Sequence, residues 1–246
     1  MSDPTDLGAR PGEAGLARRA AAEFIGTALL VAAVIGSGIA AQRMSPDATG
    51  LQLLENAFAT AAALVAIILA VGPVSGAHLN PVVTLVDVAL RRRPPVDAAA
   101  YVPAQIVGGM FGAVVANLMF SLAAVNVSTH GRTGGALWLG EIVATFGLVL
   151  VIFGMSRGGD GRFIPFAVAA YIAGAYWFTS STSFANPAVT VARTLSNSFA
   201  GIAPSSAPAF IVAQLAGGAV GLGAVLVLYP TGGSTYRPDP EEISPR

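Results

Sequence analysis

The sequence predicts an all-α membrane protein with six transmembrane helices and two re-entrant half-helices, arranged as an inverted 3+3 repeat. Three observations carry that expectation. The composition suits lipid rather than water, six apolar stretches have spanning length, and one ordered set of motifs occurs twice.

Of the 246 residues, 54% are hydrophobic and 11% charged, with a mean hydropathy of +0.69. Soluble domains carry roughly 25% charged residues. Apolar stretches near residues 19–41, 52–72, 98–123, 136–155, 163–180 and 206–229 approach the length of about 20 residues that a crossing needs. An even number of crossings leaves both termini on one side. The chain has no lysine, so orientation rests on arginine. Arg10, Arg18, Arg19, Arg91, Arg92, Arg93, Arg157, Arg162, Arg237 and Arg246 fall on the side of the termini, whereas the opposite side holds Arg43, Arg132 and Arg193. Ten against three places both termini in the cytoplasm.

The net charge is zero, and no clustered basic surface marks the chain for nucleic acid. The absence of cysteine removes disulfides and thiolate metal sites. His78 and His130 are the only histidines. With the acids scattered, they cannot assemble three or four metal ligands, and no cofactor is expected. Residues 1–17 are polar and acidic, and the apolar run behind them is too long for the core of a signal peptide. The chain therefore divides into an N-terminal tail (1–17), a membrane domain (18–230) and a C-terminal tail (231–246).

The repeat is read from three motif pairs in one order. Glu23-Phe24-Ile25 answers Glu141-Ile142-Val143. Asn80-Pro81-Val82-Val83-Thr84 answers Asn186-Pro187-Ala188-Val189-Thr190. Ala104-Gln105 with Gly108, Gly109 and Gly112 answers Ala213-Gln214 with Gly217, Gly218 and Gly221. Three crossings per half is odd, so the second half enters the membrane from the opposite side, and the functional site is expected near midplane where the halves meet.

Each Asn-Pro pair opens a segment too short and polar to cross. Proline is favoured at the first turn of a helix, where its missing N–H costs nothing. Asn80 and Asn186 should therefore cap two half-helices that meet near the centre. Their positive dipole ends would face a shared pore and repel cations, and the asparagine amides would offer donors to a passing oxygen. That arrangement filters for neutral solutes.

Ser75-Gly76-Ala77-His78-Leu79-Asn80-Pro81-Val82-Val83-Thr84 and Phe184-Ala185-Asn186-Pro187-Ala188 resemble the paired signatures of the major intrinsic protein family, the aquaporins and aquaglyceroporins. The resemblance covers about residues 18–230. It implies an aquaporin-like fold with one pore per subunit, assembled as a homotetramer in the plasma membrane. Two departures stand out. Val82 replaces the usual Ala, which would narrow or tilt the midpoint. Val189 stands where the family pattern places an Arg that donates to permeants and blocks cations. Counting back from each Asn by the family spacing puts Thr60, Gly174 and Ser183 beside Val189 in the selectivity filter, with Phe58 as the alternative to Thr60. Because this quartet is small, the resemblance implies a pore wide enough for glycerol-like polyols and neutral metalloid hydroxides such as arsenous acid, with water passing too. A bacterial subfamily with Val in place of the Arg, associated with arsenical permeation, is similar.

The remaining polar residues have more than one reading. Glu23 and Glu141 are intramembrane carboxylates, either loop acceptors or proton relays. Unpaired loop N–H groups at membrane depth need acceptors, and a carboxylate supplies several acceptor sites. The resemblance adds that Glu23 orients His78. His78 is read as a loop anchor before a pore gate, and His130 as an exposed loop residue. Arg193, one turn beyond Val189, is either a vestibule cation replacing the absent filter Arg or a helix C-terminal cation. The paired glycines allow close helix packing, while Trp138, Trp177 and Tyr229 suit the membrane interface.

The expected function is a passive channel in the inner membrane of a bacterium. Its partners would be small neutral solutes, water, the lipid bilayer and further copies of the chain. A water-selective channel is the first alternative. A secondary transporter is the second, but no acid is free to serve as a coupling-ion site. An enzyme would need a nucleophile or an acid-base pair with an orienting partner, and Ser75, Ser181 and Ser183 have no spare His or acid nearby in sequence.

Overall fold

The computed structural model describes residues 14–159 and 161–230. The C-terminal tail and all but the last four residues of the N-terminal tail lie outside the described residues, with Arg10, Arg237 and Arg246. Eight α-helices follow in order: α1 (Leu16–Met44), α2 (Thr49–Ser75), α3 (Pro81–Ala89), α4 (Pro95–Met119), α5 (Gly135–Gly158), α6 (Ile164–Phe178), α7 (Pro187–Arg193) and α8 (Ala207–Leu228). A single 3-10 turn, Gly161–Phe163, precedes α6.

Five helices, α1, α2, α4, α5 and α8, are long and apolar enough to cross a membrane. The sixth expected crossing is shorter than its apolar run. Helix α6 has 15 residues and reaches only about 22 Å at 1.5 Å per residue. The 3-10 turn lengthens it by about 6 Å. At its far end Thr179 leaves the helix with extended backbone, because the chain must turn inward there toward the second Asn-Pro loop.

Helix packing repeats the sequence duplication. Helix α1 packs on α2 and α4 as α5 packs on α6 and α8; α7 packs chiefly on α4 of the other half, and α3 packs on both α4 and α8. Glycine permits the tightest of these approaches. A Cβ at Gly108 or Gly112 would collide with the carbonyls of Phe24 and Ala28 on α1. Across the repeat, one at Gly217 or Gly221 would meet Ile142 and Val149 on α5. Gly109 lies against Ala188 of α7, and Gly218 against the side chain of Val82 on α3.

The sequence fixes the half-helix starts locally. Asn80 and Asn186 have extended φ and ψ, the Pro after each occupies the first helical turn, and each side-chain oxygen accepts from the helix it opens. These are standard N-caps. The preceding loops are less ordinary. Ala77 and Leu79 in the first, and Ser183 and Ala185 in the second, have φ of +50° or +51°, a region that side chains with a Cβ seldom occupy. Such conformations persist only where surrounding contacts over-determine them.

Candidate functional site

Those contacts converge on two buried carboxylates. Glu23 Oε1 accepts from the His78 N–H at 2.9 Å and the Ser75 hydroxyl at 2.6 Å. Its Oε2 accepts from the Leu79 N–H and Gln105 Nε2, both at 2.7 Å. Glu141 Oε1 accepts from the Phe184 N–H at 2.9 Å, and its Oε2 from the Ala185 N–H at 2.9 Å and Gln214 Nε2 at 2.6 Å. Both carboxylates are fully buried. The two glutamines complete the brace: Gln105 Nε2 also lies 3.0 Å from the Thr84 hydroxyl and Gln214 Nε2 2.8 Å from that of Thr190. One Glu–Gln pair thus ties two spanning helices, a loop and a half-helix in each half.

The half-helix starts meet and hold one another. Asn80 Nδ2 donates to the Ala185 carbonyl at 2.8 Å, and Asn186 Nδ2 donates to the Leu79 carbonyl at 2.7 Å. The Asn80 side-chain oxygen accepts from the Val82 N–H, that of Asn186 from Ala188 and Val189. Each amide NH₂ carries two hydrogens, so one pins the opposite loop and one remains for a ligand.

Both asparagines line a cavity of about 230 Å³. Its side walls are hydrocarbon, from Leu30 and Val34 on α1, Leu64 and Ile68 on α2, Leu148 and Ile152 on α5, and Val168 and Ile172 on α6. Polar groups sit at the ends and at the loop junction. At one end Asp87 lies 3.3 Å from His78 Nε2, 3.2 Å from Arg92 Nε and 3.5 Å from Arg93 Nε. Arg93 also donates to the Ser75 carbonyl, and Asp97 joins it to Arg19. His78 Nδ1 is 3.0 Å from the Thr84 hydroxyl. Glu23 therefore holds the His78 backbone, while Thr84 and Asp87 fix its ring. Asp87 and Arg193 occupy equivalent places in the two half-helices, so one repeat position is anionic in α3 and cationic in α7.

The structure distributes the residues named from sequence as follows. Thr60, Ser183 and Val189 line the cavity, and so does Arg193. Arg193 is 2% exposed; its guanidinium carbon stands 3.4 Å from the centre of the Phe184 ring, and its Nε donates to the Ala200 carbonyl. Among the described residues its Nη1 has no hydrogen-bond partner. Pro81, Pro187 and Ala188 are buried at the half-helix starts.

Gly174 is corrected. It lies on the exposed face of α6 and does not line the cavity. Counting back twelve residues assumes a loop of fixed length, whereas helical geometry decides the facing. Two residues turn a helix by about 200°, so Gly174 points away from the side that Val168, Ile172 and Tyr176 present. Phe58 is also excluded: it is 74% exposed, while Thr60, on the other side of α2, is 2% exposed. Val82 is buried against Gly218 and does not line the cavity. Its extra methyls fill space that the glycine leaves on α8, so they do not narrow the midpoint.

Three residues went unread in the sequence. Tyr176 and Ile172 line the cavity from α6, and the i, i+4, i+8 spacing from Val168 was the signal that could have found them. Arg132 gave no local signal. It reaches from the loop before α5 to the carbonyls of Gly201 and Phe199 and lies over the Phe184 ring, 5.2 Å from its centre. Burial there holds its guanidinium below the usual arginine pKa. His130 is exposed, and its N–H donates to Ser128. Trp138, Trp177 and Tyr229 keep 37–52% of their surface exposed.

Comparison with known proteins agrees with this architecture. The family model "Major intrinsic protein" matches residues 12–173. The chain is 49% identical over 205 residues to aquaglyceroporin AqpS of Rhizobium meliloti (strain 1021), covering 83% of this chain and 87% of that protein. Aquaporin AqpM of Methanothermobacter marburgensis is 31% identical over 186 residues, 64% of this chain and 75% of that one. The X-ray structure of the aquaglyceroporin from Plasmodium falciparum superposes with a TM-score of 0.66 at 20% identity, covering 88% of this chain and 98% of the other. The chain belongs to the major intrinsic protein family and is an integral membrane channel for small neutral solutes and water.

Proposed function

We propose that the channel prefers glycerol-like polyols and neutral metalloid hydroxides such as arsenous acid, with water also passing. The observation that carries this reading is Val189. The first turn of α7 presents a short hydrocarbon side chain to the cavity, and the cation of that helix, Arg193, stands one turn further along. Thr60 and Ser183 add only small side chains to the same region, with Tyr176 beside Thr60 as its aromatic wall. A wall of leucine, isoleucine and valine suits the carbon face of a polyol, and the asparagine pair and the loops supply hydrogen bonds to its hydroxyls. The name of the relative AqpS, an aquaglyceroporin, supports the same solute class.

In this reading solutes pass unchanged and no coupling ion is used. Glu23 and Glu141 have their oxygens committed to loop and glutamine donors, which leaves neither as an ion site. Arg19, Arg92 and Arg93 gather at one end of the molecule, which suits a cytoplasmic face and cytoplasmic termini. Four such subunits, each with its own pore, would sit in the inner membrane of a bacterium. Residues 18–230 would form the pore, with tails 1–17 and 231–246 outside it.

The test is stopped-flow light scattering of proteoliposomes challenged with water, glycerol and arsenous acid gradients in turn. Flux should follow the gradient, ignore membrane potential and stay unsaturated well into the millimolar range. Water flux without glycerol or arsenous acid flux would restore the water-selective alternative, and accumulation driven by protons or sodium would end the channel reading.

A further inference from the structure

We propose that Tyr176 is the residue that selects hydroxyl-bearing solutes in this pore, acting with Thr60 as a hydroxyl pair at the cavity wall. The proposal rests on the polyol reading above and names a determinant of it.

Tyr176 comes from α6 and Thr60 from α2, two helices from opposite halves that pack together. Both residues line the cavity and both are buried, at 3% and 2% exposure. Along α6 the cavity-facing series runs Ile164, Val168, Ile172, Tyr176, so three hydrocarbon rungs are followed by one that carries a hydroxyl. Four residues beyond Thr60, α2 presents Leu64 to the same cavity. The two hydroxyls are thus polar groups set beside hydrocarbon rungs.

Their mutual contact is long. Tyr176 Oη and Thr60 Oγ1 are 3.3 Å apart, beyond the 2.5–3.0 Å range of a good O–H···O bond. Among the described residues neither hydroxyl has another side-chain partner. Each hydroxyl has one donor and two acceptor lone pairs. A weak mutual bond therefore leaves one donor and several acceptor sites in a buried place, where polar groups without good partners are penalised. A solute hydroxyl relieves that deficit by donating to one oxygen and accepting from the other.

The chemistry recognised is a hydroxyl on a small framework. A polyol can lay its carbons against Ile172, Leu64 and Val189 while one hydroxyl occupies the pair. A water molecule moving in file keeps neighbouring waters as hydrogen-bond partners, whereas a polyol hydroxyl whose carbons face Leu64, Ile172 and Val189 has the pair as its partner there, so losing the pair costs the polyol more. A sieve of pore width alone would not require the phenol oxygen. A hydrogen-bonding selector does.

The decisive variant is Tyr176→Phe, which keeps the ring and removes the oxygen. Thr60→Val removes the other hydroxyl at nearly constant shape and serves if the first variant folds poorly. Each is reconstituted in proteoliposomes, checked for monodispersity, and measured by stopped-flow for glycerol and water permeability per channel. Tyr176→Phe should lower the glycerol-to-water permeability ratio about five-fold, the loss of one neutral hydrogen bond at the barrier. Thr60→Val should lower it in the same direction, and the double variant should fall less than the product of the two. Ile172→Ala, which widens the bore and leaves both hydroxyls, should raise glycerol flux. A Tyr176→Phe ratio equal to the parent's, in a parent that passes glycerol, overturns the role of Tyr176 and leaves the polyol reading intact. A parent no faster than protein-free vesicles toward glycerol overturns the polyol reading and this proposal together.

Discussion

Glu141 is a single side chain on which the second pore loop depends, and the effect of replacing it can be worked from its partners. Its oxygens take the N–H groups of Phe184 and Ala185 and the amide of Gln214, at 2.9, 2.9 and 2.6 Å. Leucine would take the acceptor from three donor hydrogens in a site that excludes water, leaving Gln214 Nε2 with Thr190 alone. At about 1–3 kcal/mol for each unsatisfied buried group, Glu141→Leu should cost about 3–9 kcal/mol, enough to remove most of the stability of a typical domain. Glutamine keeps one acceptor oxygen. Placed where Oε2 stands, it retains Ala185 and Gln214 and loses Phe184, a cost of about 1–3 kcal/mol. The same ordering is expected at Glu23, where the Ser75 hydroxyl can reverse and accept from the new amide, leaving His78 as the lost partner. Unfolding of the purified protein in detergent, followed through Trp138 and Trp177, checks the ordering. Equal midpoints for the Gln and Leu variants would show that the loop does not depend on these hydrogen bonds.

Three further outcomes follow from the same geometry. Val189→Arg should narrow the cavity and reduce glycerol and arsenous acid flux far more than water flux, with Thr60→Phe deepening the effect. Surface expression must be followed, because a guanidinium placed at membrane depth is costly without partners. If the folded Val189→Arg channel passes glycerol relative to water as the parent does, Arg193→Ala should be the change that alters selectivity. Gly218→Ala should destabilise by about 1–3 kcal/mol through overpacking, since the new Cβ would collide with Val82. Val82→Ala in the same chain should recover most of that loss, and purely additive melting temperatures would refute the contact.

The sequence determined the architecture because lipid leaves few choices. Backbone polar groups at membrane depth must be paired within helices or covered by protein, so long apolar runs became α1, α2, α4, α5 and α8, with ends a few residues from those expected. Motif order revealed the inversion, and Asn-Pro fixed the starts of α3 and α7 because capping and the first-turn proline are local effects. The motifs also marked Glu23, Glu141, Gln105 and Gln214. What those side chains touch could not be read from them, since Gln105 lies 82 positions from Glu23 and Gln214 lies 73 from Glu141.

Facing was decided only in three dimensions. Gly174 and Tyr176 sit two residues apart on α6, yet one is exposed and the other lines the cavity, because a fixed count along the chain cannot follow a loop of variable length while a helix turns about 100° per residue. Val82 looked like a change in the pore from its place beside Asn80, but a glycine on α8, 136 residues later, takes up its methyls. Arg132 and Arg193 meet the same Phe184 ring from different segments. Apolar content and motif spacing report what each segment must do by itself. Which side chains share a cavity depends on how packed helices rotate against one another, and that rotation is set by long-range contacts.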